Sequence, residues 1–252
     1  FDTFMEAIKS DKNNGDSLRD AYSSLGYIVE KQPELAKDVF DTFMEAIKSD
    51  KNTSDSLIKA YSSLSNIVEK QPELAENVLD IVKEAIKSDK NNGVSLKKAY
   101  SSLSDIVEKQ PELAENVFDT FMEAIKSDKN NGDSLRDAYS SLGYIVEKQP
   151  ELAKDVFDTF MEAIKSDKNT SDSLIKAYSS LSNIVEKQPE LAENVLDIVK
   201  EAIKSDKNNG VSLKKAYSSL SDIVEKQPEL AENVFDTFME AIKSDKNNGD
   251  SL

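Results

Sequence analysis

The chain has 252 residues, with 48 acidic against 32 basic side chains and no Cys, His or Trp. Those absences exclude disulfides, thiolate and imidazole metal ligands, a thiol nucleophile and an imidazole base. A net charge of −16 argues against nucleic acid and anionic membrane as partners, because both repel an acidic surface.

Residues 118–234 repeat residues 1–117 letter for letter, and 235–252 repeat 1–18. Each block of 117 divides into three related units of 39, giving units 1–39, 40–78, 79–117, 118–156, 157–195 and 196–234 and a partial unit 235–252. A period in the range of about 20–50 residues marks a solenoid, a propeller or an array. The opening residues Phe1-Asp2-Thr3-Phe4-Met5-Glu6 lack the basic and apolar regions of a signal peptide. No apolar run approaches the roughly 20 residues needed to span a bilayer, so membrane insertion is not expected and localisation stays open. The chain lacks an initiator Met and opens inside an amphipathic pattern, which reads as a piece of a longer array.

Taken along the chain, every unit holds two helices and no strand. In the first, Asp11-Lys12-Asn13-Asn14-Gly15 is a turn, with Asn-Gly as a helix-stop signal. Ser17, with Asp20 three residues on, resembles a capping box that opens the unit's second helix. That helix runs to about Lys31 over an apolar stripe of Leu18, Ala21, Tyr22, Leu25, Ile28 and Val29. Its tyrosines (Tyr22, Tyr61, Tyr100) are expected in the core with a polar tip near the rim. Only Lys31 and Gln32 separate it from Pro33, which suits the first position of the next helix. This first-type helix is predicted over about Pro33–Ser49, with Leu35, Ala36, Val39, Phe40, Phe43, Ala46 and Ile47 on one broad stripe. Met44, replaced by Lys83 one unit on, belongs at the stripe's edge. The following second helix is predicted from about Asp55 or Ser56 to Lys70. Short loops force antiparallel neighbours. Ordering one 39-residue unit costs more than its own burial returns, so units must stack. The expected fold is all-α: one continuous α-solenoid of two-helix repeats over 1–252, about thirteen helices in all.

The run Leu25-Gly26-Tyr27-Ile28-Val29-Glu30-Lys31-Gln32-Pro33-Glu34-Leu35-Ala36, preceded by Leu18-Arg19-Asp20-Ala21, resembles a HEAT-type repeat. A tetratricopeptide-like repeat is the rival resemblance, through Leu-Gly followed by spaced Val39, Phe43 and Ala46. Either one implies a superhelical scaffold binding protein or peptide along an extended surface, with no catalytic residue and no cofactor.

Several motifs suggest chemistry and have a plainer reading. Gly15-Asp16-Ser17-Leu18, recurring at Gly132 and Gly249, matches the nucleophile block of a Ser esterase family, but that chemistry needs a His. A helix cap explains Ser17 better. Ser56-Leu57-Ile58-Lys59 and Ser95-Leu96-Lys97-Lys98 match S-x-x-K without its companion elements. Read as a calcium loop from Asp11, the turn puts Gly15 at the fifth position, not the sixth, and no Glu closes twelve residues. Asn52-Thr53-Ser54 and Asn169-Thr170-Ser171 are glycosylation sequons. Neither metal nor cofactor is expected.

On the second helix the three units differ at five positions, which form a ladder from unit to unit. In the first unit these are Asp16, Arg19, Asp20, Gly26 and Tyr27. In the next they are Asp55, Ile58, Lys59, Ser65 and Asn66, and in the third Val94, Lys97, Lys98, Ser104 and Asp105. Leaving aside the small-residue position, the second block copies the ladder as Asp133, Arg136, Asp137 and Tyr144, then Asp172, Ile175, Lys176 and Asn183, then Val211, Lys214, Lys215 and Asp222. At about 100° per residue most of them fall opposite the apolar stripe. The HEAT-like resemblance implies that this helix lines a concave wall. The expected function is a non-catalytic scaffold that reads a protein or peptide with this ladder. The alternative is a structural spacer or stalk within a larger surface or secreted protein, which letter-perfect duplication favours, or an engineered repeat array. With no polar capping repeat at either end, head-to-tail self-association is also expected.

Overall fold

The computed structural model of the chain describes Glu6, Ser10 and residues 14–243. Among the described residues there are twelve α-helices and no strand. The expected thirteenth helix, at the start of the chain, falls largely outside the described residues, as do Phe1, Phe4 and Met5. The chain divides into two compact units, 1–129 and 130–252.

In the first unit, long helices α1 (Gly15–Lys31), α3 (Ser54–Lys70) and α5 (Gly93–Lys109) alternate with short helices α2 (Ala36–Ile47), α4 (Ala75–Lys87) and α6 (Ala114–Ile125). In the second unit the long helices are α7 (Gly132–Lys148), α9 (Ser171–Lys187) and α11 (Gly210–Lys226), and the short ones α8 (Ala153–Ile164), α10 (Ala192–Ile203) and α12 (Ala231–Ile242). Within each unit long helices pack on long and short on short, as two layers of an α-solenoid. The long-helix layer is the more closely packed. Small residues allow this: Ser63 and Ser102 are buried between long helices, and Gly26 meets Ser63 so closely that an added Cβ would lie 3.0 Å from the serine's Cβ.

The apolar stripes form the core. Leu18, Tyr22, Leu25 and Val29 are fully buried, as are Val39, Phe43 and Ala46 on the short helix. The rings of Tyr22 and Phe43 stack across the hairpin at 5.4 Å, and Tyr139 and Phe160 repeat this at 5.4 Å. Met44 is half-buried, as its edge position suggests.

Four local expectations are corrected. The first-type helix does not run from Pro33 to Ser49. Pro33–Leu35 is a single 3₁₀ turn, and the α-helix is Ala36–Ile47. Gln32, preceding proline, sits at φ −139°, ψ 75°, because the proline ring disfavours helical backbone before it. Second, Ser17 is not the N-cap. Asn14, Thr53 and Asn92 are the caps, and Ser17, Ser56 and Ser95 are the third helical residues of reciprocal capping boxes. The serine hydroxyl reaches back to the cap's N–H, a task the sequence pattern assigns to a longer acid. Third, Asn-Gly is no helix stop: Gly15 and Gly93 are first residues of long helices, and no described residue has positive φ. Fourth, the tyrosine hydroxyls are not at a rim. Tyr22 and Tyr61 are fully buried and donate to Asn52 Oδ1 at 2.9 Å and Asn91 Oδ1 at 3.3 Å, in the next repeat.

That asparagine holds the turn together. Asn52 Nδ2 donates to the carbonyls of Ala46, Ile47 and Ser49 at 2.8, 3.0 and 3.0 Å. It thus satisfies the open C-terminus of α2, while its oxygen receives Tyr22 and Ser56. Asn169 makes the same bonds to Ala163, Ile164 and Ser166, with Tyr139 as its donor. The lysine beside it reaches the previous turn: Lys51 Nζ donates to the Ser10 carbonyl and Lys129 Nζ to the Ser88 carbonyl, each at 3.0 Å.

Candidate binding surface

The motifs that resembled chemistry are occupied by these structural tasks. Ser134 of the second Gly-Asp-Ser-Leu is fully buried, its Oγ donating toward Asn130 Oδ1 and the Asn131 carbonyl, both at 3.0 Å. Ser56, of the Ser-x-x-Lys pattern, is equally buried and bonds Asn52 and Thr53. Asn52 and Asn169, the sequon asparagines, are each 2 % exposed with both side-chain hydrogens engaged. In the folded chain that amide nitrogen is out of reach of a modifying enzyme. The third Gly-Asp-Ser-Leu, at Gly249, lies outside the described residues. Among the described residues no cluster of three or more acidic side chains is arranged to hold a metal ion, and no helix is long and apolar enough to cross a membrane.

The variable ladder is placed otherwise. All of its positions lie on long helices, and apart from Ser65 and its copy Ser182 none is buried. Tyr27 is 61 % exposed, Val94 57 % and Val211 66 %. Asp55, Asp133, Asp172 and Lys214 are exposed as well, while Ile58, Lys97, Lys98, Arg136, Asp137, Ile175, Lys215 and Asp222 are half-buried. The charges of the first unit are solvated: Arg19 pairs with Asp16 and Asp20 at 3.4 Å, all three exposed. Asp105 is half-buried beside Ser65, and burial raises its carboxyl above the ordinary range while the Ser65 hydrogen bond and Lys98 oppose that. Burial likewise pushes the Tyr22, Tyr61 and Tyr178 phenols far up, against the pull of their asparagines.

Between α1 and α3 the structure brings four ladder residues together, Gly26 among them. Tyr27, Lys59 and Asn66 line a cleft of ≈ 160 Å³ with Ser23, Gly26, Glu30, Ser63, Ile67, Lys70 and Gln71. The second unit repeats it between α7 and α9, where Tyr144, Lys176 and Asn183 line ≈ 150 Å³ with Gly143, Glu147, Lys187 and Gln188. The rest of the expected ladder does not converge on these clefts. Asp16, Arg19, Asp20, Asp55, Ile58, Val94, Lys97, Lys98 and Asp105 lie outside the first. Asp133, Arg136, Asp137, Asp172, Ile175, Val211, Lys214, Lys215 and Asp222 lie outside the second. Tyr27 and Asn66 sit in the second half of their helices, and Lys59 lines the cleft from the first half of α3, whereas most of the others sit in the first two turns.

One side of each cleft is closed by an ion pair between the long helices, Lys70 to Glu30 at 2.6 Å and Lys187 to Glu147 at 2.6 Å. Both Lys70 and Lys31 hold the Glu30 carboxyl below its ordinary range. Gln71 donates from Nε2 to the Val29 carbonyl at 2.9 Å, tying two repeats together, yet its Oε1 is buried with no partner. Gln188 reproduces both features.

Glu30, Lys70 and Gln71 escape a sequence reading based on differences between units. The motif Glu-Lys-Gln-Pro is invariant from unit to unit, so comparison is blind to it. Among the residues lining the cleft, Gly26, Tyr27, Lys59 and Asn66 carried a signal, because they differ between units. Compared with known proteins, no family model matches the chain and no curated protein matches its sequence.

Proposed function

We propose that the chain is a non-catalytic scaffold that binds a protein or peptide segment across the solvent face of its long-helix layer. One observation carries this reading. Most long-helix residues in which the three repeats differ are exposed or half-buried, the Ser65 position and the helix-opening Gly93 and Gly210 aside, and in each block four of them meet in one cleft. The two-helix unit, with its Pro-led 3₁₀ turn and closely packed second helices, is in keeping with a HEAT-type relation, and the tetratricopeptide-like rival shares the same hairpin logic. Selection of a displayed random-peptide library on the full chain tests the function. An enriched peptide family should lose at least about tenfold in affinity when Arg19, Tyr27, Lys59 and Lys98 and their copies are replaced by alanine, since aromatic and basic anchors dominate such interfaces. No enrichment, or unchanged affinity, overturns it.

A second reading, a structural spacer, is favoured by the identity of residues 1–117 and 118–234. Self-association belongs with it. Phe235, Met239 and Ile242 on α12 are 63, 38 and 40 % exposed, whereas Phe157 and Ile164, the counterparts on α8 in the same unit, are 4 and 2 % exposed. The complementary surface at the chain's first residues lies outside the described residues. Sedimentation that shifts with concentration, and stops shifting in Phe235→Asp, supports association; a monomer throughout removes it.

A further inference from the structure

We infer that the cleft between the first two long helices of each block takes a single carboxylate, an Asp or Glu side chain of the bound peptide, on Lys59 and its copy Lys176. The inference rests on the scaffold reading above and gives it a chemical specificity. Its starting point is an unanswered charge. Of the lysines around the first cleft, Lys31 and Lys70 both reach Glu30, at 3.1 and 2.6 Å. Lys59 lines the same cleft, half-buried, and makes no ion pair or hydrogen bond among the described residues. Its ammonium rides on a flexible four-carbon stem and can follow a guest along the cleft. Asn66, seven residues on and so on the same side of α3, also lines the cleft. It is exposed, and its side chain makes no hydrogen bond among the described residues. An ammonium with three N–H groups and an amide with two thus border one cleft, and together they call for an acceptor.

The neighbouring junction shows what the missing partner is. There Lys98 stands in the place of Lys59, Asp105 in that of Asn66 and Ser65 in that of Gly26. The Asp105 carboxyl is half-buried, accepts a hydrogen bond from Ser65 and feels the positive charge of Lys98. The α1–α3 junction keeps the lysine and drops the rest. Asparagine removes the negative charge, and glycine removes the hydroxyl and the volume of its side chain. What is left is a cation bordering ≈ 160 Å³ of open cleft. The second unit makes the same exchange: Gly143, Lys176 and Asn183 line ≈ 150 Å³, against Ser182, Lys215 and Asp222 one repeat on. Other guests fit less well. An ammonium or guanidinium meets Lys59 as a like charge, and a neutral amide or hydroxyl leaves that charge unanswered. A phosphate dianion suits a single lysine poorly in a chain of net charge −16, whose field repels a dianion more than a monoanion. The same field limits the peptide to one acid among neutral or basic residues, since a run of acids is repelled by the surrounding surface.

The test uses the full chain, ¹⁵N-labelled, at neutral pH, and three probes: the N-acetyl methylamides of glutamate, glutamine and phosphoserine. The glutamate probe should move the side-chain amide signals of Asn66 and Asn183 and the backbone amides of Gly26 and Gly143. Saturation is expected in the low-millimolar range, as suits a ligand of about fourteen heavy atoms. It should bind about tenfold more tightly than the glutamine probe, the scale of a hydrogen bond to a charged group. That advantage should fade as salt rises toward about 1 M. Two double variants should each remove about the same factor for glutamate alone. Lys59→Met with Lys176→Met takes the cation away, and Asn66→Asp with Asn183→Asp gives it the partner found at the next junction. Glutamine binding as tightly as glutamate, phosphoserine binding more tightly, or unchanged glutamate affinity in either double variant overturns the inference. So does the absence of saturable shifts at those four residues in the parent chain. The scaffold reading fails separately. If library-selected peptides respond to Tyr27→Ala with Tyr144→Ala, but neither to the lysine variant nor to exchange of their acids for amides, the pocket falls and the scaffold stands. If the probes titrate as expected and no peptide is selected, the reverse holds.

Discussion

The α1–α3 junction and the α3–α5 junction share one fold and differ in what fills them. At the first, Gly26 lies against Ser63, and Tyr27, Lys59 and Asn66 border an open cleft. At the second, Ser65 stands where Gly26 stood, its hydroxyl 2.7 Å from that of Ser102, which also donates to the Tyr61 carbonyl at 2.9 Å. Asp105 takes the place of Asn66 and leans on Ser65. The helix starts differ in the same way. A Cβ on Gly15 would lie 2.4 Å from Thr53 Cγ2, while Ser54 places its hydroxyl 2.8 Å from Asn92 Oδ1. A branched cap demands glycine in the preceding repeat, and an asparagine cap welcomes serine. Three repeats of one architecture are therefore not interchangeable. Their order is written in side-chain pairs along the long-helix layer.

Both junctions depend on the same tyrosine–asparagine tie, and breaking it should have the largest effect. Asn52→Ala leaves the Tyr22 hydroxyl and the carbonyls at the end of α2 without partners, an expected loss of about 3 kcal/mol. Asn91→Ala should cost somewhat less, since Tyr61 is bound at 3.3 Å rather than 2.9 Å. Denaturant midpoints decide this, and an unchanged midpoint for Asn52→Ala would refute the tie's importance.

The next effect separates the junctions. Gly26→Leu forces a side chain against Ser63 and should lose about 1–3 kcal/mol by overpacking. Ser65→Gly gives up the Ser102 contact and helix propensity, together about 1–2 kcal/mol. If Gly26→Leu proves neutral in the same midpoints, the close approach there is not a constraint.

The smallest effect is a pH dependence confined to the second junction. The Asp105 carboxyl is raised in the folded chain, so it holds its proton at pH values where the unfolded chain has released it. Its contribution is full below the ordinary Asp pKa of about 3.9 and is lost as pH rises through the elevated value. As pH rises above the ordinary Asp pKa of about 3.9, Asp105→Asn should therefore gain stability relative to the parent. A pH profile parallel to the parent's would show that Asp105 does not titrate abnormally.

Much of the fold was legible because its signals are local. The 3.6-residue stripes through Leu18, Tyr22, Leu25 and Val29, the proline at 33 and the repeat itself specify two stacked helices per unit. Part of the surface was legible too, since Tyr27, Lys59 and Asn66 stood out by differing between units. The spacing of Ser17 and Asp20 imitates a capping box, which hides the real cap at Asn14, three residues before Ser17. Glu30, Lys70 and Gln71 were silent because invariance within the array hides them.

The sequence by itself determined the period, the all-α composition, the core stripes and the ladder's place opposite them. Each of these follows from spacing within a few helical turns. Only the tertiary structure decided what Asn52 and Gln71 do. Their partners, Tyr22 and the Val29 carbonyl, lie 30 and 42 residues earlier in the chain, and they meet only when one repeat is stacked on the next. The same stacking decides which junction closes over paired serines and which leaves a buried carbonyl oxygen without a donor.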